Sequence, residues 1–176
     1  FTEEIIRGDI AIQDGIIAGI GSFHGKEERD LAGRYVCPGF IDSHLHLEST
    51  LVTPAELVTA ASRHGTTTFI VDPHESANVS GLAGIDYILD QTEDVKANVY
   101  VMMPSCVPAT AIDDNGCTLT AEDMVPYLHN SRILGLGEVM DSISVVQGEK
   151  SMHDKLELFE GRIRDGHAPF LEEGDL

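Results

Sequence analysis

Basic residues are scarce in this chain of 176 residues. Lys and Arg together number 11 against 30 Asp and Glu, for a formal net charge of −19. That balance argues against a nucleic-acid partner, since phosphate binding needs clustered Lys and Arg. Acidity alone names no activity, because an acidic surface mostly serves solubility. Cysteine is also sparse. Cys37, Cys106 and Cys117 are odd in number and far apart, with no CxxC pair. Neither a zinc knuckle nor a disulfide framework is indicated, and a reducing compartment, hence a cytoplasmic location, is the simplest reading. Long apolar runs are missing too: none reaches the roughly 18–20 residues of a membrane span, so no membrane partner is expected. No signal-peptide pattern is visible, and the first residue is Phe1 rather than Met, so residues upstream are left open.

What is present falls into two rhythms. Residues 1–38 read as small β structure. "GDIAIQDGIIAGIG" predicts two short alternating strands around Asp14-Gly15, a common hairpin dipeptide, and "GRYVCPG" predicts another short strand before Pro38-Gly39. From residue 39 onward, apolar strands alternate with amphipathic helices. The strands are "GFIDSHLH", "TTTFIVDPHE", "NVYVMMPS", "RILGLGE" and "GRIRDGHAP". Helices are predicted over "TPAELVTAASRHG", around Gly81–Gln91, over "TAEDMVPYLHN", and more weakly near Ser151–Phe159. Thr53 with Pro54 and Glu56 suggests a capping box at the first helix, and Thr120 a cap at the third. Strands begin about 30 residues apart, the size of a βα unit. The fold class is therefore α/β with a parallel sheet. A complete (β/α)8 barrel needs about 250 residues, so residues 39–176 are expected to be the first four to five units of such a TIM-like barrel. The whole is expected to be part of a longer chain.

In such a barrel the chemistry sits at the C-terminal ends of the strands. The first strand ends in His44 and His46, which share one side because side chains alternate in a strand. They could grip one divalent ion, with Glu48 following if the chain stays extended. The second strand ends in Asp72, His74 and Glu75, the third in Ser105 and Cys106, the fourth in Glu138, the fifth in His167. An isolated HxH would be read as coincidence. Its recurrence with other ligand types at successive strand ends supports a metal site instead. His74 and Glu75 could line a substrate pocket, hold an additional metal, or simply cap the next helix. Asp72 reads as structural, Cys106 as a packed thiol. His24, His64, His129 and His153 read as surface residues.

"PGFIDSHLHLEST" resembles the first-strand signature of the amidohydrolase superfamily, metal-dependent hydrolases on a (β/α)8 barrel. The preceding segment resembles the small β-sandwich domain that many members build. Three later stretches, "GTTTFIVDPHESANVSGLAGIDYIL", "VYVMMPSCVPAT" and "GLGEVMD" followed by "DGHAP", are similar to the bacterial adenine deaminases within that superfamily. The resemblance implies His44, His46, Glu138 and His167 as metal ligands, with Glu138 also catalytic. It leaves Glu48, His74, Glu75, Ser105 and Cys106 as candidates for substrate binding or an additional metal. A sixth-strand histidine and an eighth-strand aspartate of the pattern have no counterpart in these residues, so the 176-residue piece alone is expected to be inactive. The implied cofactors are two divalent transition-metal ions, Mn or Fe, with Zn the alternative that histidine ligands also suit. The implied chemistry is hydrolytic deamination of adenine to hypoxanthine and ammonia, by a water acidified between two ions, in a homo-oligomer. Rival readings are another amidohydrolase acting on a cyclic amide or N-acyl substrate, and a noncatalytic interaction module.

Overall fold

The computed structural model of the protein describes residues 4–110, 112–169 and 171. It divides into two compact units, Phe1–Cys37 and Pro38–Leu176.

In the first unit, β1 (Asp9–Gln13) and β2 (Ile16–Gly21) form an antiparallel hairpin, paired from Asp9↔Gly21 to Gln13↔Ile16 with one irregularity between Ala11 and Ile12. Both residues of the turn have positive φ, Asp14 at 53° and Gly15 at 79°. Two-residue hairpins need that conformation, and Asp-Gly supplies it at little strain. The strand expected over "GRYVCPG" is not there. Residues 34–39 run without ladder partners, and Tyr35 and Val36 are exposed. A β pattern in the sequence becomes a strand only when a neighbour takes its hydrogen bonds, and none does so among the described residues.

The second unit is a five-stranded parallel sheet in chain order, β3 (Phe40–Leu45), β4 (Thr66–Val71), β5 (Asn98–Pro104), β6 (Ile133–Val139) and β7 (Ile163–Gly166). Sequential parallel order with helical crossovers makes this part of a (β/α)8 barrel. The central strand β5 is nearly continuous in burial, from Val99 through Met103, as expected where both faces are covered.

Among the described residues six α-helices accompany the sheet: α1 (Pro54–Ser62), α2 (His74–Ser80), α3 (Leu82–Gln91), α4 (Ala121–Met124), α5 (Ser142–Gln147) and α6 (Lys150–Leu158). On α3, Ile85, Ile88 and Leu89 recur at helical spacing and are all buried. They meet Val58 of α1 and Phe69, Val71, Val99 and Val101 of the strands in one core.

Local signals were partly overruled. Thr53 precedes α1 in extended conformation, with Pro54 at the first helical position, but its side chain makes no capping bond. Thr120 does form a full capping box, with Asp123. The helix it starts tightens to a 3-10 turn over Val125–His129, where Pro126 cannot donate to an α ladder. The helix expected around Gly81–Gln91 is α3, and an additional short helix, α2, precedes it, separated from it by Gly81, whose φ is 62°. Helix α5 has no counterpart among the helices that the sequence pattern predicts.

Candidate metal centre

Five strand ends deliver their polar side chains to one place. Glu138 is its centre. Although glutamate rarely tolerates positive φ, Glu138 has φ 35°, and its residue is only 4% exposed. Its Oε1 lies 3.0 Å from His44 Nε2, 3.7 Å from His46 Nε2 and 3.0 Å from His167 Nε2. Its Oε2 lies 2.9 Å from His74 Nδ1. Strand β3 supplies His44 and, one residue beyond its end, His46; β6 supplies Glu138; His167 directly follows β7, tied by its N–H to the Val139 carbonyl at 3.0 Å.

The imidazoles are held edge to face. The ring centroids of His44 and His46 are 5.0 Å apart, those of His46 and His74 4.7 Å. His46 Nδ1 lies 2.8 Å from the Asp72 carbonyl oxygen. A carbonyl only accepts, so Nδ1 carries the proton and Nε2 of a neutral ring keeps its lone pair toward Glu138. His44 Nδ1 faces Asp165 Oδ2 at 3.5 Å, which favours the same tautomer. The two Nε2 atoms then stand 3.2 Å apart. Two lone pairs and a carboxylate oxygen converging this closely repel unless a cation or a proton lies among them.

The donor set fits a divalent transition metal. Donors bound at about 2.1 Å around one ion stand about 3.0–3.4 Å from one another, close to the separations just given. The donor atoms of His44, His46 and Glu138 all fall within 4.8 Å of one another, as do those of His74, Cys106 and Glu138. Buried polar atoms also lack hydrogen-bond partners here: Asp72 Oδ1 and Oδ2, His74 Nδ1 and Glu138 Oε2. His74 and Glu138 are at ion-pair distance but not aligned as a hydrogen bond. Such orphaned atoms gathered in one spot are what a cation would satisfy.

Electrostatics follow from this crowding. Burial pushes the Glu138 carboxyl upward, but the His167 hydrogen bond and the nearby His74, His46 and His44 together bring it below its ordinary value. Burial raises Asp72. His74 is raised, first by its contact with Asp72, against the opposing effect of burial, and further by Asp72 and Glu138 charge. The carboxylate of Asp72 can reach this spot because Gly137 has no side chain: a Cβ there would meet Asp72 Oδ2 at 2.3 Å and Met102 Cβ at 2.7 Å.

The remaining candidates divide. Glu48 does not continue the HxH alternation. The chain turns into a 3-10 segment, Glu48–Thr50, and Glu48 Oε1 instead accepts from the backbone N–H groups of Glu75 and Ser76 at 3.1 and 3.3 Å. Glu75 points the same way and accepts from the Ser49 hydroxyl. Neither joins the carboxylate–imidazole cluster. Ser105 is fully buried, and its hydroxyl donates to the Glu138 carbonyl at 2.8 Å.

Cys106 is 1% exposed, and burial, with Asp72 and Glu138 nearby, pushes its thiol up to about 12. A thiol with that pKa is almost wholly neutral and unreactive at pH 8. Iodoacetamide at pH 8 is therefore expected to leave Cys106 unlabelled in the folded protein and to label it fully after denaturation. Equal labelling in both states, read by peptide mass spectrometry, would contradict that burial.

Sequence reasoning missed three participants. Asp72 was read as merely structural, Asp165 was not singled out, and the buried Lys155 gave no signal at all. His153, read as a surface residue, is half-buried and within 2.9 Å of the Val145 carbonyl oxygen.

Imidazoles and a carboxylate gathered at the C-terminal ends of parallel barrel strands define a class of metal-dependent hydrolase fold. Residues 35–165 match the amidohydrolase family, and the chain belongs to it. Along its whole length it is 59% identical to the adenine deaminase of Desulfitobacterium hafniense, over 176 residues that make up 31% of that protein. It is 48% identical over 176 residues to adenine deaminase 2 of Carboxydothermus hydrogenoformans, again 31% of that protein. Identity to the adenine deaminase of Geobacillus kaustophilus is 47% over 174 residues, covering 98% of this chain and 30% of the relative. The chain thus spans about a third of the length of these relatives.

Proposed function

We propose that the complete protein hydrolyses adenine to hypoxanthine and ammonia, using a metal centre built on His44, His46, Glu138 and His167. The observation that carries the reading is the convergence of four imidazoles on one buried carboxylate at successive strand ends. The similarity to adenine deaminases supports the choice of substrate.

In this reading His44, His46 and His167 present Nε2 lone pairs and Glu138 supplies the negative charge that holds a divalent pair. When bound, the ions supply Lewis acidity and a water acidic enough to attack at neutral pH. His74 places Nδ1 3.6 Å from Asp72 Oδ1 and 2.9 Å from Glu138 Oε2, close enough for its charge, when protonated, to attract both carboxylates. Cys106 packs as a neutral thiol and attacks nothing. Manganese or iron is the proposed metal, with zinc the alternative.

The same reading takes residues 1–38 as a segment of a small β-sandwich and residues 39–176 as the N-terminal part of a barrel completed by the rest of the protein. Exposed Ile10, Ile12, Ile16, Ile17 and Ile20 on the hairpin support a covering layer there. A cytoplasmic homo-oligomer acting on a small molecule, without nucleic-acid or membrane partners, completes it. No helix among the described residues is long and apolar enough to cross a membrane.

The test is release of ammonia and formation of hypoxanthine from adenine by the purified, metal-loaded, full-length protein. Inert adenine, with opening of a cyclic amide or cleavage of an N-acyl substrate instead, would move the protein to another branch of the family.

A further inference from the structure

Glu138 sits where the sheet loses its regular ladder. Pairing between β5 and β6 runs to Pro104↔Gly137, and between β6 and β7 the register shifts between Leu136 and Val139. The Glu138 peptide lies at that irregularity, in a conformation that costs a non-glycine residue roughly 1 kcal/mol or more. Something must hold it there.

Two residues beyond the imidazole cluster do so. The Ser105 N–H donates to the Gly137 carbonyl at 3.1 Å, and the Ser105 hydroxyl donates to the Glu138 carbonyl at 2.8 Å. Ser105 is thus bonded to two consecutive carbonyls of β6, spanning the turn that swings the Glu138 side chain inward. Ser105 is itself pinned. From α6, Lys155 Nζ donates to the Ser105 carbonyl at 2.8 Å, and both residues are buried, at 6% and 0% exposure. A buried ammonium is tolerated only with a partner, so this bond locks α6 to the end of β5. Neither Ser105 nor Lys155 has a side-chain bond to any of the four imidazoles.

We propose that Ser105 and Lys155 are positioning residues that brace the left-handed Glu138 backbone and so aim its carboxylate at His44, His46 and His167. The inference rests on the metal-centre reading above, which assigns the carboxylate its task but names nothing that holds the Glu138 backbone.

The experiment is Mn2+ affinity of the full-length protein, by competition with a chelator, for Ser105→Ala, Lys155→Met, Glu138→Gln and the double variant Ser105→Ala with Glu138→Gln. Melting of the metal-free proteins is followed by circular dichroism. Loss of a residue that orients a ligand typically weakens metal binding about 10- to 100-fold. That loss is expected for Ser105→Ala and Lys155→Met, with the metal-free proteins still folded at the assay temperature. In the Glu138→Gln background Ser105→Ala should add less than about twofold, because a brace has no effect once the group it aims is gone. Wild-type affinity in either folded variant overturns the brace. So does an undiminished loss in the Glu138→Gln background, or a loss of affinity seen only with loss of the fold in both single variants. Unchanged affinity in Glu138→Gln alone would instead reject the metal-centre reading itself.

Discussion

Glu138→Gln in the full-length protein should lower adenine turnover by at least about 100-fold, the scale for removing one strong electrostatic contribution to a transition state. The reason is that both carboxylate oxygens face imidazole nitrogens. Oε1 faces three Nε2 atoms at 3.0 to 3.7 Å, and Oε2 faces His74 Nδ1 at 2.9 Å. An amide of the same shape can accept on one side only. Its NH2 on the other side must either meet the imidazole lone pairs or turn them away from an ion. The unit of negative charge is also lost in a buried place, where it counts most. An exposed loop acid would behave differently, since its replacement rarely matters beyond about 0.5 kcal/mol. Steady-state deamination, metal content and circular dichroism together decide the matter. Turnover near wild type with unchanged metal content would remove Glu138 from the centre.

His44→Ala combined with His46→Ala should empty the site rather than merely slow it. The two Nε2 atoms stand 3.2 Å apart on one strand end and are the pair best placed to grip a single ion. If losing a supporting residue weakens a metal site about 10- to 100-fold, losing two direct donors should weaken it by more than about 100-fold. After dialysis against a chelator, elemental analysis should find well under half the metal of the wild-type protein. The core should remain, because neither histidine belongs to the buried cluster around Phe69, Ile85, Val101 and Leu136. Unchanged metal content would reject both residues as ligands.

Much of this was legible in the chain itself. The alternation of apolar strands and helices gave a parallel α/β sheet, and the recurrence of His44 with His46, His74, Glu138 and His167 at strand ends marked one region, because parallel strands all finish on the same side. Asp14-Gly15 specified its turn, since few dipeptides accept positive φ twice. These properties follow from local periodicity and from conformational limits that each residue carries alone.

Other features depended on what came into contact. "GRYVCPG" has a strand's pattern but, among the described residues, no neighbour to take its hydrogen bonds. Glu48 keeps the alternation of HxH on paper, yet the strand ends at Leu45 and the chain turns into a 3-10 segment at Glu48, where the carboxylate finds the N–H groups of Glu75 and Ser76 instead. Lys155 lies in a helix of ordinary appearance, and only the tertiary fold brings its buried side chain to the Ser105 carbonyl, just past the end of β5. The same holds for Asp72, brought beside Glu138 because Gly137 leaves room for it. Sequence alone determined which residue types stand at the strand ends. Tertiary structure decided which of their atoms face one another, because that depends on register and backbone twist between strands far apart in the chain.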